Sequence, residues 1–318
     1  MSVRNNALSQ QRKLQVAREF GFNTTAFLHD AHVPGQPRRI DVFTPSREKR
    51  FSTDAVLGAT LYIFERLDPE DPALYGAGRE PCKSGGGPSS GNHPAVSGCT
   101  LQTKVGPIHA QFDASRHVAV IEVPHDIHVH ARETPADEVL AVQKRLLTSP
   151  DKDKMKASYP IVSLRQGLTF TMVDFTTCPA LMDLLTAGDS AQPAMDAGWQ
   201  VAAGDGDVQP SDFTGTVYFT QLQTDYAEEP YITRLHVRMI ANGVEEAVTP
   251  TGCCALAAQL ALQKGEKGSR HVYAIEQGVE MGRRSQLCVE VMLDSQGTRV
   301  ARLVLSGRAA FTTEGRLL

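Results

Sequence analysis

The pattern of apolar and polar positions predicts many short strands and two helices that are apolar on every side. Residues 54–61 are Asp-Ala-Val-Leu-Gly-Ala-Thr-Leu, and residues 249–260 are Thr-Pro-Thr-Gly-Cys-Cys-Ala-Leu-Ala-Ala-Gln-Leu. A helix that is apolar all round must be buried on all of its faces. The sequence therefore predicts two cores, each built around one central helix.

The two apolar helices follow the same local order, which indicates an internal duplication. A strand-like segment at residues 38–43 precedes the first helix, and one at residues 234–239 precedes the second. Each copy is therefore predicted to be a strand, a loop and a buried helix. The start of each helix also offers free backbone N–H groups, to which an anionic ligand can bind.

An amphipathic helix is predicted before the first copy. Ser9 can cap it, and Gly21 can end it after Phe20. Leu14, Ala17 and Phe20 give this helix an apolar face.

The remaining pattern predicts strands, helices over residues 136–147 and from residue 180, and two loops rich in glycine or proline at 76–98 and 187–213. Whether these loops close over a site stays open at this stage. The mixture of strands and helices indicates an α+β fold.

Composition and charge exclude several classes of protein. The 318 residues are 41% hydrophobic and 21% charged, and the formal net charge is −4. Without a basic stripe, nucleic acid is not expected as a partner. No apolar run approaches the roughly 18 residues that span a membrane, and the first residues lack the apolar core of a signal peptide. We therefore expect a cytoplasmic protein with no membrane partner.

Three segments resemble motifs of the phenazine-biosynthesis PhzF family, which shares its fold with diaminopimelate epimerase. Residues 275–283, Ile-Glu-Gln-Gly-Val-Glu-Met-Gly-Arg, match the family's IEQGVEMGR. Residues 245–260 resemble its EDPATGSAAGALAAYL motif, and residues 42–48, Val-Phe-Thr-Pro-Ser-Arg-Glu, resemble its IFTPxRE motif. The resemblance follows the family order along nearly the whole chain.

The resemblance implies a diaminopimelate epimerase-like α+β fold with two pseudo-symmetric lobes. Each lobe would be a curved mixed sheet around a central buried helix, with the active site in the cleft between the lobes. We place the N-terminal lobe at residues 1–115, with a closing strand at 306–318, and the C-terminal lobe at residues 116–305. The resemblance also implies a homodimer and a cofactor-free isomerase that moves a proton with a carboxylate.

The chain departs from the family where the chemistry is expected. The family's catalytic glutamate aligns with Thr24, whose hydroxyl titrates too high to act alone as a general base near neutral pH. The family's Gly-Ser before the second helix is Pro250-Thr251, and proline removes a backbone donor. The family's opening strand is absent, which predicts an open sheet edge.

Asp54 and Glu246 are the predicted catalytic residues, because each carboxylate lies at the start of one buried helix and the pair can act as base and acid. The alternative is that both are helix caps. Small and polar residues around the same helix starts are assigned to binding a small-molecule substrate: Thr24, Ser52, Thr53, Glu245, Thr249, Thr251, Gly252, Cys253 and Gln277.

Three histidines, His125, His128 and His130, raise the question of a metal site. On a strand, His128 and His130 would share a face and could bind one ion. The sequence shows no carboxylate at a clear spacing to complete the set. We therefore expect neither a metal nor another cofactor.

Together these features favour a cofactor-independent isomerase or cyclase acting on a small organic molecule in secondary-metabolite biosynthesis. The reaction would be proton transfer by Asp54 and Glu246, or ring closure assisted by hydrogen-bond donors such as Thr24, Thr53 and Thr251. The alternative is a catalytically degenerate protein of the same fold that binds a small molecule.

Overall fold

A computed structural model of the protein describes residues 2–3, 8–30, 37–67, 97–200, 213–225 and 231–314. The predicted loop at 76–98 lies outside these residues except for its last two positions, and the loop at 187–213 lies outside them from residue 201 to 212. The chain forms two compact units, one from Met1–Val123 with Ser306–Leu318, and one from Pro124–Leu305.

The first unit is a mixed sheet packed on two helices. Its strands pair in the order β1-β2-β3-β5-β6-β7, and β4 is added beside β3. Its elements are β1 (Ser2–Val3), α1 (Gln10–Phe20), β2 (Thr25–His29), β3 (Arg38–Phe43), β4 (Glu48–Lys49), α2 (Thr53–Arg66), β5 (Ser97–Thr103), β6 (Gly106–Asp113) and β7 (Val118–Glu122). Strand β1 pairs in parallel with the end of β2. The expectation that no strand precedes the first helix was therefore wrong, although β1 is only two residues long.

The second unit is a larger mixed sheet around one central helix. Its strands pair in the order β16-β15-β14-β12-β11-β10-β9-β8, and β13 is added beside β12. Its elements are β8 (His128–Pro135), α3 (Ala136–Val142), β9 (Ser158–Arg165), β10 (Leu168–Asp174), β11 (Phe213–Asp225), β12 (Ile232–Ala241), β13 (Val244–Glu246), α4 (Pro250–Lys264), β14 (Arg270–Gln277), β15 (Ser285–Leu293) and β16 (Val300–Gly307).

The predicted internal duplication is confirmed, and it extends further than the sequence pattern showed. In the first unit, β3 is followed by β4, α2 and β5, and β5 returns parallel to β3. In the second unit, β12 is followed by β13, α4 and β14, and β14 returns parallel to β12. Each predicted loop thus contains a short antiparallel strand immediately before the helix.

Both central helices are buried, as their composition predicts. Helix α2 packs against β2, β5, β6 and β7, and α4 packs against β9, β10, β11, β14 and β15. Most of α4 is inaccessible to solvent on every face, including its small residues from Gly252 to Ala258. No helix in the described part of the chain combines the length and the apolar character that crossing a membrane requires.

The helices predicted over 136–147 and from residue 180 form only in part. Helix α3 ends at Val142, and a 3₁₀ helix covers Lys144–Thr148. The buried side chain of Gln143 is committed to Thr186, whose carbonyl accepts its amide at 2.9 Å and whose N–H donates back to it at 2.9 Å. Pro179–Leu184 is likewise 3₁₀.

Helix α1 has the predicted ends but a different buried face. Ser9 accepts the N–H of Arg12, and Gly21 ends the helix in a left-handed conformation. Ala17 is buried as expected, but Phe20 is 45% exposed and Lys13 is buried in its place. The buried side of α1 is therefore formed by Lys13 and Ala17 and does not include Phe20.

The reason is a buried ionic cluster in the first unit. Lys13 donates to Asp41 at 2.5 Å, and the Nε2 atom of His29 lies 2.9 Å from the same carboxylate oxygen. Arg39 adds two hydrogen bonds at 2.9 and 2.8 Å. Burial alone would raise the pKa of Asp41, but the hydrogen bonds from Arg39, Lys13 and His29 outweigh it and hold this pKa well below its usual range. Asp41 therefore stays ionised inside the fold.

Candidate functional site

The start of α2 presents one exposed carboxylate above two buried hydroxyl groups. Ser52 is the residue before the helix, and its extended backbone lets its carbonyl accept the N–H of Val56. Its hydroxyl donates to Oδ1 of Asp54 instead of capping a backbone group. Asp54 is exposed, whereas Ser52 and Thr53 are buried. One carboxylate oxygen of Asp54 is thus positioned by Ser52, and the other is left to meet a ligand.

Thr53 adds an unsatisfied group at the same helix start. Its Oγ1 atom is buried and has no hydrogen-bond partner among the described residues. Thr24 is half-buried and lies immediately before β2, so it is not itself in a regular element. A buried hydroxyl without a partner costs free energy unless something else supplies one.

The start of α4 is built differently, because its polar groups bind one another. Thr249 precedes the helix, and Pro250 occupies its first position, where a missing N–H costs nothing to the helix itself. Thr251 is half-buried, and Gly252 and Cys253 are buried. A Cβ atom on Gly252 would lie 3.2 Å from Val217 and 3.3 Å from Thr249, so this turn packs tightly.

Gln277 closes the start of α4 from the end of β14. Its Oε1 atom accepts the N–H of Thr249 at 3.0 Å and the thiol of Cys253 at 3.5 Å. Its Nε2 atom donates to the carbonyl of Glu246 at 2.8 Å and lies 3.4 Å from the Thr249 hydroxyl. Because this side chain is buried and fully engaged, we revise its predicted role from substrate binding to positioning the segment before α4.

Cys253 is equally committed to the interior. Burial raises the pKa of its thiol to about 12, so the thiolate is not formed near neutral pH and cannot serve as a base. The predicted role of Cys253 in substrate binding is therefore revised: it packs inside the first turn of α4, as Gly252 does.

The two neighbouring glutamates of β13 have different surroundings. Glu245 receives two hydrogen bonds from Arg238, at 2.8 and 2.6 Å, in a pair that is largely buried. Glu246 is half-buried, and among the described residues its carboxylate has no hydrogen-bond partner. We therefore assign Glu245 to a structural ion pair and keep Glu246 as a candidate for chemistry.

Residues 92–315, more than two thirds of the chain, match the family model described as phenazine biosynthesis-like protein, PhzC-PhzF. This chain belongs to the phenazine biosynthesis-like family. Among curated proteins, none matches the sequence.

Solved structures of similar proteins show the same fold for this family member. A PhzF-family phenazine biosynthesis protein from Bacillus anthracis is 17% identical, with a TM-score of 0.65 over 100% of this chain and 92% of the other. A predicted epimerase from Pseudomonas aeruginosa is 18% identical, with a TM-score of 0.58 over 98% and 90%. A putative PhzC/PhzF protein from Clostridium difficile is 14% identical, with a TM-score of 0.56 over 100% and 91%. The fold of the chain is therefore the diaminopimelate epimerase-like α+β fold.

Residues 275–283, which match a motif of the phenazine biosynthesis-like family, include a turn that requires glycine. Gly278 follows Gln277 with a φ of +78°, and a Cβ atom there would lie 2.5 Å from the carbonyl oxygen of Ala247 and 2.6 Å from that of Arg283. Only glycine allows the turn to approach the segment that leads into α4 this closely.

Replacing Gly278 with alanine is therefore expected to lower the free energy of unfolding by about 3 kcal/mol, from backbone strain and the two carbonyl contacts. Chemical denaturation measures the change. Gly282→Ala is the matched control, because Gly282 also has a positive φ, of +66°, but open space around its Cβ position, so about 1 kcal/mol is expected. Equal losses in the two variants would show that the carbonyl contacts do not matter.

Proposed function

We propose that this protein is a cofactor-independent isomerase or cyclase acting on a small organic molecule in secondary-metabolite biosynthesis. The observation that carries the proposal is the start of the buried helix α2, where the buried Ser52 orients the exposed carboxylate of Asp54. Family membership supports an isomerase-type reaction. On the sequence evidence we also propose a cytoplasmic homodimer.

Proton transfer is the first form of the mechanism. With Oδ1 of Asp54 accepting the Ser52 hydroxyl, the other oxygen is available to take a proton from a carbon of the substrate. The unpartnered carboxylate of Glu246 is the second candidate for moving a proton. An isomerisation returns one proton for each proton removed, so neither an oxidant nor a reductant is needed.

Ring closure without proton abstraction is the second form. Thr24 stands where the family has its catalytic glutamate and cannot replace a carboxylate base. The unsatisfied hydroxyl of Thr53 can instead donate to charge that develops on a substrate oxygen.

The test is untargeted metabolite profiling of a strain that lacks the gene. If the protein is an isomerase or cyclase, one product disappears and a compound of identical mass accumulates. The wild-type gene or a variant is then returned to this strain. If Asp54 transfers the proton, the strain with Asp54→Asn makes less product than the strain with the wild type, by a factor of about 100 or more. Glu246→Gln tests the second carboxylate in the same way. Asp137→Asn is the matched control, because Asp137 is an exposed acid in the first turn of α3.

Full restoration by both carboxylate variants would disprove proton transfer and favour ring closure. A strain whose metabolites do not change would favour the second candidate function, a binding protein without turnover. The observation behind that candidate is the start of α4, where Gln277, Thr249 and Cys253 satisfy one another.

A further inference from the structure

Two histidines and a distant aspartate converge beside the edge strand β8. His128 and His130 lie on this strand, and Asp196 reaches them from the segment that follows Leu185. His128 Nε2 lies 2.8 Å from Asp196 Oδ2, and His130 Nδ1 lies 3.7 Å from the same oxygen. One ligand atom from each residue falls within 4.8 Å of the other two. The carboxylate that the sequence pattern lacked is thus supplied by the tertiary structure.

The hydrogen bonds of His130 define how its ring is protonated. Its Nδ1 atom accepts the backbone N–H of Asp196 at 3.0 Å, so the proton lies on Nε2, which donates to the Ser163 hydroxyl at 2.9 Å. Ser163 in turn contacts the Thr169 hydroxyl at 2.6 Å. This chain of contacts directs the lone pair of Nδ1 towards Asp196, and metal-binding histidines are held by outer partners in the same way.

The Asp196 carboxylate is also oriented by the backbone. The pairing of β8 with β9 shifts register between Val129 and Glu133. Within this bulge, the N–H of Ala131 turns to both carboxylate oxygens of Asp196, at 3.3 and 3.1 Å. The bulge therefore fixes the carboxylate between the two rings.

The surroundings of the three side chains fit a metal site. The ring of Trp199 stacks on that of His128, with centroids 4.4 Å apart and planes inclined by 9°. This stacking fixes the plane of the His128 ring beside the Asp196 carboxylate.

We propose that His128, His130 and Asp196 bind one first-row divalent metal ion of the zinc class. Ligand atoms of a tetrahedral zinc ion, with bonds of about 2.0–2.1 Å, lie roughly 3.3 Å apart. The distances from Asp196 Oδ2 to His128 Nε2 and to His130 Nδ1, 2.8 and 3.7 Å, lie on either side of this value, and all three ligand atoms lie within 4.8 Å of one another. The ion displaces the proton between His128 and Asp196, and the Asp196 N–H releases His130 Nδ1. Two imidazole nitrogens with one carboxylate favour zinc, nickel or copper over magnesium or calcium.

The bound ion would join β8 to a segment 68 residues further along the chain, independently of the chemistry proposed at Asp54. Three protein ligands leave the fourth position of a tetrahedral ion to water.

The only tryptophan of the chain, Trp199, reports on this site directly. The chelator-treated full-length protein is titrated with Zn²⁺ by calorimetry and with Co²⁺ by Trp199 emission. We expect one equivalent of Zn²⁺ to bind, and one equivalent of Co²⁺ to quench the emission without the near-ultraviolet absorption of a cobalt–thiolate bond. Mg²⁺ should produce neither effect.

Three variants locate the binding. Asp196→Asn and His128→Gln should each lower the affinity for Zn²⁺ by at least about 100-fold, while His125→Gln, in which a histidine outside the cluster is changed, should bind as the wild type does. Circular dichroism shows whether each variant is folded. The proposal would be overturned if the wild type showed no saturable binding of Zn²⁺, or if Asp196→Asn bound it with unchanged affinity. The three side chains would then serve only as a hydrogen-bonded contact between β8 and the segment of Asp196.

Discussion

Replacing Asp41 with asparagine is expected to lower the free energy of unfolding by about 3–5 kcal/mol. The substitution keeps the shape of the side chain but removes the charge that faces Lys13 and His29 inside the first unit. Lys13 and Asp41 are 2% and 3% exposed, so the ammonium group would be left buried without its counter-ion. Chemical denaturation monitored by circular dichroism measures the loss.

Arg39→Gln is the matched control, because Arg39 contacts the same carboxylate but is 47% exposed. Solvent screens an exposed pair, and less than about 1 kcal/mol is expected. The double variant Lys13→Met with Asp41→Leu should recover much of the loss, since apolar residues of similar volume can replace a buried ion pair. Similar small losses in Asp41→Asn and Arg39→Gln would show that burial does not strengthen this pair.

The stabilisation by Asp41 has a defined pH dependence. Its pKa is lowered in the folded state, so the unfolded chain takes up the proton first as the solution is acidified. The stabilisation is therefore complete above the ordinary aspartate pKa of about 3.9, and it is lost as the pH falls further. The difference in unfolding free energy between wild type and Asp41→Asn should stay constant from neutral pH to about pH 5 and shrink below pH 4.

Replacing Arg238 with methionine is also expected to be strongly destabilising, and to lower the free energy of unfolding by about 3–5 kcal/mol. The guanidinium group binds both oxygens of Glu245 and donates to the carbonyls of Met182 and Leu185. Methionine fills similar space but leaves the carboxylate and both carbonyls without these donors, which costs their full desolvation. Thermal and chemical unfolding both measure the effect.

The control for this variant is Arg270→Met. Arg270 binds Glu290 at 2.6 Å, but it is 48% exposed, so less than about 1 kcal/mol is expected. Arg238→Lys should give an intermediate loss, because lysine keeps the charge but cannot make the paired contacts of the guanidinium group. If Arg238→Met lowers the free energy of unfolding no more than Arg270→Met does, the ion pair with Glu245 is not structural. The predicted role of Glu245 in substrate binding would then be restored.

The two candidate carboxylates, Asp54 and Glu246, differ in the hydrogen bonds that neighbouring residues make. Asp54 stays exposed and is oriented by Ser52, whereas the segment next to Glu246 is tied down by Gln277 and Arg238. Asp54 and Glu246 remain predictions from the sequence. The structure supports Asp54 by its exposure and orientation, and Glu246 by a carboxylate that no described residue binds.

The features that depend on local pattern could be predicted from the amino-acid sequence. Helices apolar on every side have to be buried, so the burial of α2 and α4 follows from their composition, and the repeated order of strand, loop and helix indicates the duplication around them. The ends of α1 follow from Ser9 and Gly21, whose preferences act within one turn. The motif at 275–283 indicated the family through its matching residues, and Gly278 within it lies in a turn that tolerates no side chain.

The partners of the charged and polar side chains, in contrast, are set by long-range folding of the chain. Helical spacing places Lys13 on the same side of α1 as Ala17 and Phe20, but the carboxylate that lets a lysine be buried there belongs to Asp41, 28 residues further along the chain. In the same way, Met182 and Leu185 engage Arg238, and Asp196 completes the histidine pair of β8. Periodicity reports which side of an element is apolar, whereas an ion pair or a metal site depends on distances between residues that only the folded chain brings together.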